Sequence, residues 1–250
     1  MRAPYVFLGR FGAIISGIIE IDMRKTFSLV LFVVAGLSLN LRAQDSAAQQ
    51  NVLRPPAGSK VAIVEFEDLE CPDCANAAPL VQEAQKTYHI PLVIYDFPLP
   101  KHPWARQAAI IAKYFDHKSK KLGDEFRNYC FDHQPGDNKQ SPTINTPDDL
   151  RAAAEQFAAA HHMTLPLIVD PQGKLEAEVN RDVNTGIQIG ITHTPTIYVV
   201  TDKTQGQPFV EIVDRSNLFS QIDQAIAETG GPSPRAEKLH KTKKSSSPTT

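Results

Sequence analysis

The apolar positions of this chain change spacing several times, and each change marks an element. Val61-Ala62-Ile63-Val64-Glu65-Phe66 is a short run with β-branched residues, the pattern of a buried strand. From Pro72 to Tyr88 the spacing turns helical, with Ala75, Ala78, Val81 and Ala84 on one face and Pro79 as an expected kink. Leu92 to Phe97 reads as a second buried strand, which makes a βαβ unit with a parallel pair. Four helices are then predicted. The first opens at Pro103-Trp104 and runs to Phe115, the second covers Leu122–His133, the third runs to Ala160 behind a Thr146 cap, and the fourth covers 172–189. Thr196–Val200 and Phe209–Val213 return to strand spacing around a polar turn, an antiparallel hairpin. A last helix, Leu218 to Glu228, is expected to be capped by Ser216. The order predicts an α/β fold: a four-stranded sheet covered by helices, interrupted by a helical insertion at about 102–191.

The ends read differently. Met23-Arg24-Lys25, the apolar run Phe27 to Leu39 and Ala43 have the layout of a secretory signal cleaved after Ala43, with Met23 as the expected true start. The run is short beside the roughly 20 residues a spanning helix needs, so a removed signal is preferred over a retained membrane anchor. The predicted organisation is therefore a leader at 1–43, a linker at 44–58, a folded domain at 59–229 and a disordered basic tail at 230–250. Localisation outside the cytoplasm follows, periplasmic or secreted.

Charge sharpens this. The net charge is −2, but residues 44–230 carry 16 basic and 25 acidic side chains, a net of −9. An acidic body excludes nucleic acid as an expected partner, because phosphates call for a basic face. With 42% hydrophobic and 22% charged residues the composition is globular, and three cysteines are too few for a disulfide scaffold.

Two of those cysteines carry the chemistry. Cys71-Pro72-Asp73-Cys74 sits between a predicted strand and a predicted helix. Two residues of spacing at a helix start bring the sulfurs within disulfide reach. The unpaired N–H groups there favour a thiolate on the first cysteine. Cys71 is thus expected to be the exposed nucleophile and Cys74 the shielded resolving thiol. A structural disulfide would close too short a loop to matter much. A zinc site would need two further ligands beyond Cys71 and Cys74, drawn from His or from Cys130. Cys130 itself reads as a buried inert thiol. Trp104 reads as packing, His161-His162 as a helix end, and His102 and His193 as candidates to line the cleft. Pro195, in His193-Thr194-Pro195-Thr196, reads from composition alone as an ordinary trans proline at the start of a strand, with a cis bond as the alternative.

Glu65 to Cys74, then Phe97-Pro98-Leu99, His102-Pro103 and Thr194-Pro195-Thr196, together resemble the DsbA-like branch of the thioredoxin superfamily. The resemblance spans about 55–229. It implies a thioredoxin fold with a helical insertion and thiol–disulfide exchange with exported proteins, recharged by a membrane or soluble redox partner. It implies Cys71 as nucleophile, Cys74 as resolving cysteine, Glu65 as the buried acid beneath them, and Thr194 with a cis Pro195 as the substrate-binding loop. No metal, nucleotide or flavin motif is present, so no cofactor is expected. The alternative function is a non-catalytic peptide- or metal-binding protein of the same fold. Asp73 departs from the histidine found there in DsbA. With Glu67, Asp68 and Glu70 nearby and no Lys or Arg from 61 to 85, local acids are expected to oppose the Cys71 thiolate.

Overall fold

The computed structural model describes residues 52–136, 139–203 and 208–230. The expected leader, most of the linker and the basic tail lie outside the described residues. The element order is β1 (Val61–Glu67), α1 (Pro72–Tyr88), β2 (Leu92–Asp96), α2 (Ala105–Asp116), α3 (Lys120–Asp132), α4 (Pro147–Ala160), α5 (Lys174–Gln188), β3 (Thr196–Thr201), β4 (Phe209–Glu211) and α6 (Leu218–Glu228).

The four strands form one sheet in the order β2-β1-β3-β4. β1 pairs parallel with β2, Glu65 opposite Ile94, and antiparallel with β3, Phe66 opposite Thr196. β3 and β4 are the predicted hairpin. β1 is central, and all seven of its positions are buried. Strand alternation divides them between two layers. Val61 and Ile63 pack with Ala77, Val81 and Ala84 of α1 and Ile222 and Ile226 of α6. Ala62, Val64 and Phe66 pack on the opposite face with Phe97, Ile189 and Ile191. Glu65 and Glu67 share the parity of Val61 and Ile63, so they point toward α1.

α5, grouped by sequence with the insertion, lies against the sheet's second face. A Cβ at Gly186 would stand 2.6 Å from the Phe97 ring, so only a glycine lets the helix settle there. The remaining insertion helices share a core in which Phe115, Phe126 and Phe157 meet at centroid distances of 4.9–5.2 Å. That core continues without a break into Leu69, Cys71, Cys74 and Ala75.

Several local expectations are corrected. α2 begins after Pro103, with Trp104 as its N-cap. Its first N–H groups are satisfied from a distance, because Glu70 Oε2 accepts from Trp104 N at 2.7 Å and Ala105 N at 2.9 Å. Ser216 does not cap α6. Asp214 accepts from Ser216 N at 2.9 Å and opens a short 3-10 turn, and Asn217 is the N-cap of α6. β2 stops at Asp96 and β4 at Glu211. α1 runs unbroken through Pro79. Leu53, assigned by sequence to the linker, is fully buried in the sheet's second layer.

Candidate functional site

The site is assembled where β1 gives way to α1. Between them the chain turns through Asp68-Leu69-Glu70, and Asp68 holds the turn. Its carboxylate accepts from Glu70 N at 2.8 Å and Leu99 N at 2.7 Å, and lies 2.7 Å from His102 Nδ1. Cys71 follows as the N-cap of α1, with extended backbone angles and no side-chain cap bond. Pro72, next in line, has no N–H to offer. The first free N–H groups, those of Asp73 and Cys74, lie close enough to the Cys71 sulfur to favour its thiolate, although neither closes a formal cap bond.

Across the cleft, Cys71 Sγ lies 3.3 Å from the Thr194 carbonyl oxygen, and the Thr194–Pro195 bond is cis. From below, Gln134 Nε2 donates to Leu69 O at 2.7 Å and to Cys71 O at 3.2 Å. No disulfide joins Cys71 and Cys74, which both carry free thiols.

The two thiols are opposite in character. The Cys71 thiol is pulled from near 9 down to about 5. A hydrogen bond from Cys74 is the main cause. Partial burial works against it, and the Thr194 side chain and the two backbone N–H groups add to it. The Thr194 hydroxyl is buried and makes no hydrogen bond. It is free to donate to the thiolate, while the carbonyl beside it receives the proton of the neutral thiol. The Cys74 thiol is pushed far up, first by burial and then by its hydrogen bond to Cys71 and that neighbour's charge. At neutral pH the shared proton sits on Cys74.

Two expectations are corrected. Cys71 is not open to solvent: it is 7% accessible against 0% for Cys74, so the order holds but the exposure does not. Nor do local acids oppose the thiolate. Asp73 is exposed and faces Arg215, whose Nη2 lies 3.4 Å from the carboxylate while Nη1 donates to the Asp73 carbonyl at 3.3 Å. Asp68 and Glu70 are occupied by the backbone bonds described above. Hydrogen bonds, not acids, govern Cys71.

Beneath the cysteines lies a buried charged layer. Glu65 and Glu67 border a cavity of about 170 Å³ between β1, α1 and α3. Burial raises the Glu65 carboxyl well above its usual range and the Glu67 charge adds to this, with Arg127 and Arg215 opposing. Burial also lifts Glu67, to about 7, against the pull of Arg127. Arg127 Nη1 donates to Glu67 at 2.8 Å and to Asp96 at 2.5 Å, and Nη2 donates to Asp96 and to Asp116. Lys113 reaches Asp96 at 2.9 Å and Asp182 at 2.7 Å.

The other singled-out residues fall outside this constellation or at its edge. Cys130 is fully buried in the insertion core, and burial pushes its thiol far up. Trp104 is buried packing. His102 is tied to Asp68. His193 is exposed, and its carbonyl accepts from Thr196 Oγ1. His161 tilts against Phe157 at the end of α4. Sequence reading took Asp68 and Glu70 only as local acids and missed Gln134, Arg127 and Arg215. A turn signal before the helix points at Asp68, whereas the others need the tertiary fold. Among the described residues, no group of three or more His, Cys, Asp or Glu side chains is arranged to hold a metal, and no helix is long and apolar enough to cross a membrane.

Comparison with known proteins agrees with this architecture. A family model described as thioredoxin matches residues 56–215. No curated protein sequence matches. Among solved structures, the chain is similar to DsbA2 of Pseudomonas aeruginosa, with 22% identity, a TM-score of 0.50 and coverage of 69% of this chain and 92% of the other. It is also similar to a thiol-disulfide exchange protein, alpha-DsbA2 of Wolbachia pipientis, with 14% identity, a TM-score of 0.52 and coverage of 74% and 97%. A third is a periplasmic thioredoxin-like protein from Salmonella enterica serovar Typhimurium, with 18% identity, a TM-score of 0.50 and coverage of 74% and 95%.

Proposed function

The chain belongs to the thioredoxin family, with a DsbA-like fold, and from this premise we propose that it is an exported thiol:disulfide oxidoreductase acting on proteins through Cys71 and Cys74. The observation that carries this reading is the asymmetry of the two thiols. A stabilised thiolate at a helix start faces the Thr194–Pro195 loop, and a protonated partner lies buried one turn behind it.

That pair can run in either direction. As an oxidant, the Cys71–Cys74 disulfide is attacked at Cys71 by a substrate thiolate. A mixed disulfide forms and Cys74 leaves as the thiolate. A second substrate thiol then displaces Cys71, which departs readily because its thiolate is stable. As a reductant, the Cys71 thiolate attacks a substrate disulfide. Cys74 then gives up its proton, displaces the substrate sulfur and closes the Cys71–Cys74 bond. Glu65 is suited to take that proton, because a carboxyl with raised proton affinity is better matched to a buried thiol than an ordinary one. Thr194 and Pro195 are placed to hold an extended substrate segment beside Cys71, with Pro72 and Asp73 shaping the first helical turn.

Export is supported by the basic and apolar leader pattern, and by the periplasmic description of one structural relative. The substrates would be exported protein thiols and disulfides, and a membrane or soluble redox protein would restore the starting state.

Insulin reduction by the purified protein tests the activity. Turnover should vanish with Cys71→Ser, and Cys74→Ser should accumulate mixed disulfides at Cys71. A protein that binds peptide or metal but shows no thiol-dependent turnover in either direction would be a binder of the same fold and not the enzyme.

A further inference from the structure

A cleft of about 460 Å³ opens on the insertion, between the C-terminal halves of α3 and α4 and the loop that carries Gln140 and Ser141. Its size suits a long side chain or a small molecule. The wall joins flat rings to negative charge. Tyr129, His133, Phe157 and His161 supply the rings, and Glu125 and Asp132 supply the carboxylates. No lysine or arginine lines it among the described residues. Of the lysines close by in the chain, Lys139 donates to the Phe131 carbonyl at 3.0 Å, and Lys121 makes only an exposed pair with Glu125 at 3.5 Å. α3 and α4 both end here with no basic residue in the last turn, so the partial negative charge of two helix ends adds to that of the carboxylates.

His133 points to a ligand independently of that charge. It is 4% accessible. Its ring stacks on Tyr129 with the centroids 3.8 Å apart, and its Nδ1 lies 2.7 Å from the Tyr129 carbonyl oxygen. A carbonyl can only accept, so Nδ1 carries the proton and Nε2 of the neutral ring presents a lone pair. Among the described residues nothing donates to Nε2. A buried acceptor in a cleft wall calls for a donor from an occupant. N–H donors, positive charge and a flat face that stacks on rings describe a guanidinium better than an ammonium. The cleft is also tied to the cysteine loop. Gln134 follows His133 directly and holds the Leu69 and Cys71 carbonyls through its Nε2.

We propose that this cleft is a specificity site for an arginine side chain of the protein substrate, with Glu125 and Asp132 facing its charge and His133 Nε2 accepting from one of its N–H groups. The inference rests on the reading of the protein as an oxidoreductase that acts on polypeptides. The site makes no covalent bond. It holds the substrate chain while a sulfur of that chain exchanges at Cys71.

The probes are short peptides that carry one cysteine in mixed disulfide with glutathione. Arginine, or its uncharged isostere citrulline, is moved stepwise along the peptide away from that cysteine, and reduction by the protein is followed as kcat/KM. At one spacing arginine should exceed citrulline by about five- to twentyfold, and the gain should shrink with added salt. Glu125→Gln combined with Asp132→Asn should remove most of the gain and leave the citrulline peptide unchanged. Both side chains reach the surface, so the fold tolerates the change. Equal rates for arginine and citrulline at every spacing overturn the proposal, as does a gain that survives the double substitution. Failure to reduce any peptide, or insulin, counts against the oxidoreductase reading instead. The cleft is then read directly, by NMR of the His133 ring as an arginine peptide with serine in place of cysteine is added. A saturable shift that the double substitution abolishes places the arginine in the cleft, and an unmoved signal overturns the proposal. Arginine amide shifting the same signal at the same concentration as the peptide would assign the cleft to a free small cation and overturn the substrate assignment.

Discussion

Lowering the Cys71 thiol from near 9 to about 5 stabilises the reduced protein, and the effect has a definite pH window. In the unfolded chain this cysteine titrates near 8.5. A group whose folded value is depressed contributes stability that is fully present above the unfolded value and is lost as pH falls through the folded one. Between pH 8 and pH 5 about three units of that shift are traversed, or about 4 kcal/mol at about 1.36 kcal/mol per unit. The sulfur sits at a cleft edge where solvent screens part of the interaction, which brings the expectation to about 2–3 kcal/mol. The disulfide form has no thiolate and gains none of this. At roughly 30 mV for 1.4 kcal/mol, the pair should be about 40–60 mV more oxidising than one with an ordinary thiol. The assay is chemical denaturation of the reduced wild type and of Cys71→Ala at pH 5 and pH 8, with thiolate absorbance titrated alongside. The stability gap in favour of the wild type should widen by about 2–3 kcal/mol at the higher pH, and the absorbance midpoint should fall near 5. A midpoint above 7, or a gap that does not change with pH, would refute the hydrogen-bond account of this site.

Thr194→Val removes the hydroxyl that supports the thiolate and should raise the Cys71 midpoint by about half a unit to one unit, read by alkylation rate against pH. Arg127→Met strands the Glu67, Asp96 and Asp116 carboxylates in the interior. It should cost about 3–5 kcal/mol in denaturation, more at pH 8 than at pH 5, because Glu67 ionises as pH rises through about 7. Gly186→Ala drives a methyl group into the Phe97 ring and should cost about 1–3 kcal/mol, measured as a shift in the denaturation midpoint.

How far the sequence could be read depended on how local each feature is. The Thr146 cap and α4 were legible because the capping box with Asp149 closes within four residues. α1 was legible from its spacing, and Cys71 and Cys74 from their place between a strand and a helix. Thr194 and Pro195 were reachable only through family resemblance, since nothing in the local residues distinguishes a cis proline from a trans one. The electrostatics of the site were misread because they are long-range. Asp73 looked like an unopposed negative charge, but its counterion Arg215 comes from 142 positions away. Glu70 looked like a neighbour of the thiolate, yet its carboxylate is committed to α2, 34 residues on. Arg127 carries no mark in the sequence. Its meaning arises only when β1, β2 and α2 bring three carboxylates to it.

The bond from Glu70 to the start of α2 bears on how this protein could be rebuilt. The residue immediately before Cys71 is the stopper on the first helix of the insertion. A chimera that imported the helices of a relative but kept the cysteine motif would leave this carboxylate without its two donors, or the new helix without its cap. Motif and insertion therefore have to be exchanged as one cassette, with Glu70 on the same side of the junction as Trp104. By the same logic, selection for a different substrate surface on the insertion is not free to tilt α2: any tilt pulls on the peptide unit that sets the position of the Cys71 sulfur.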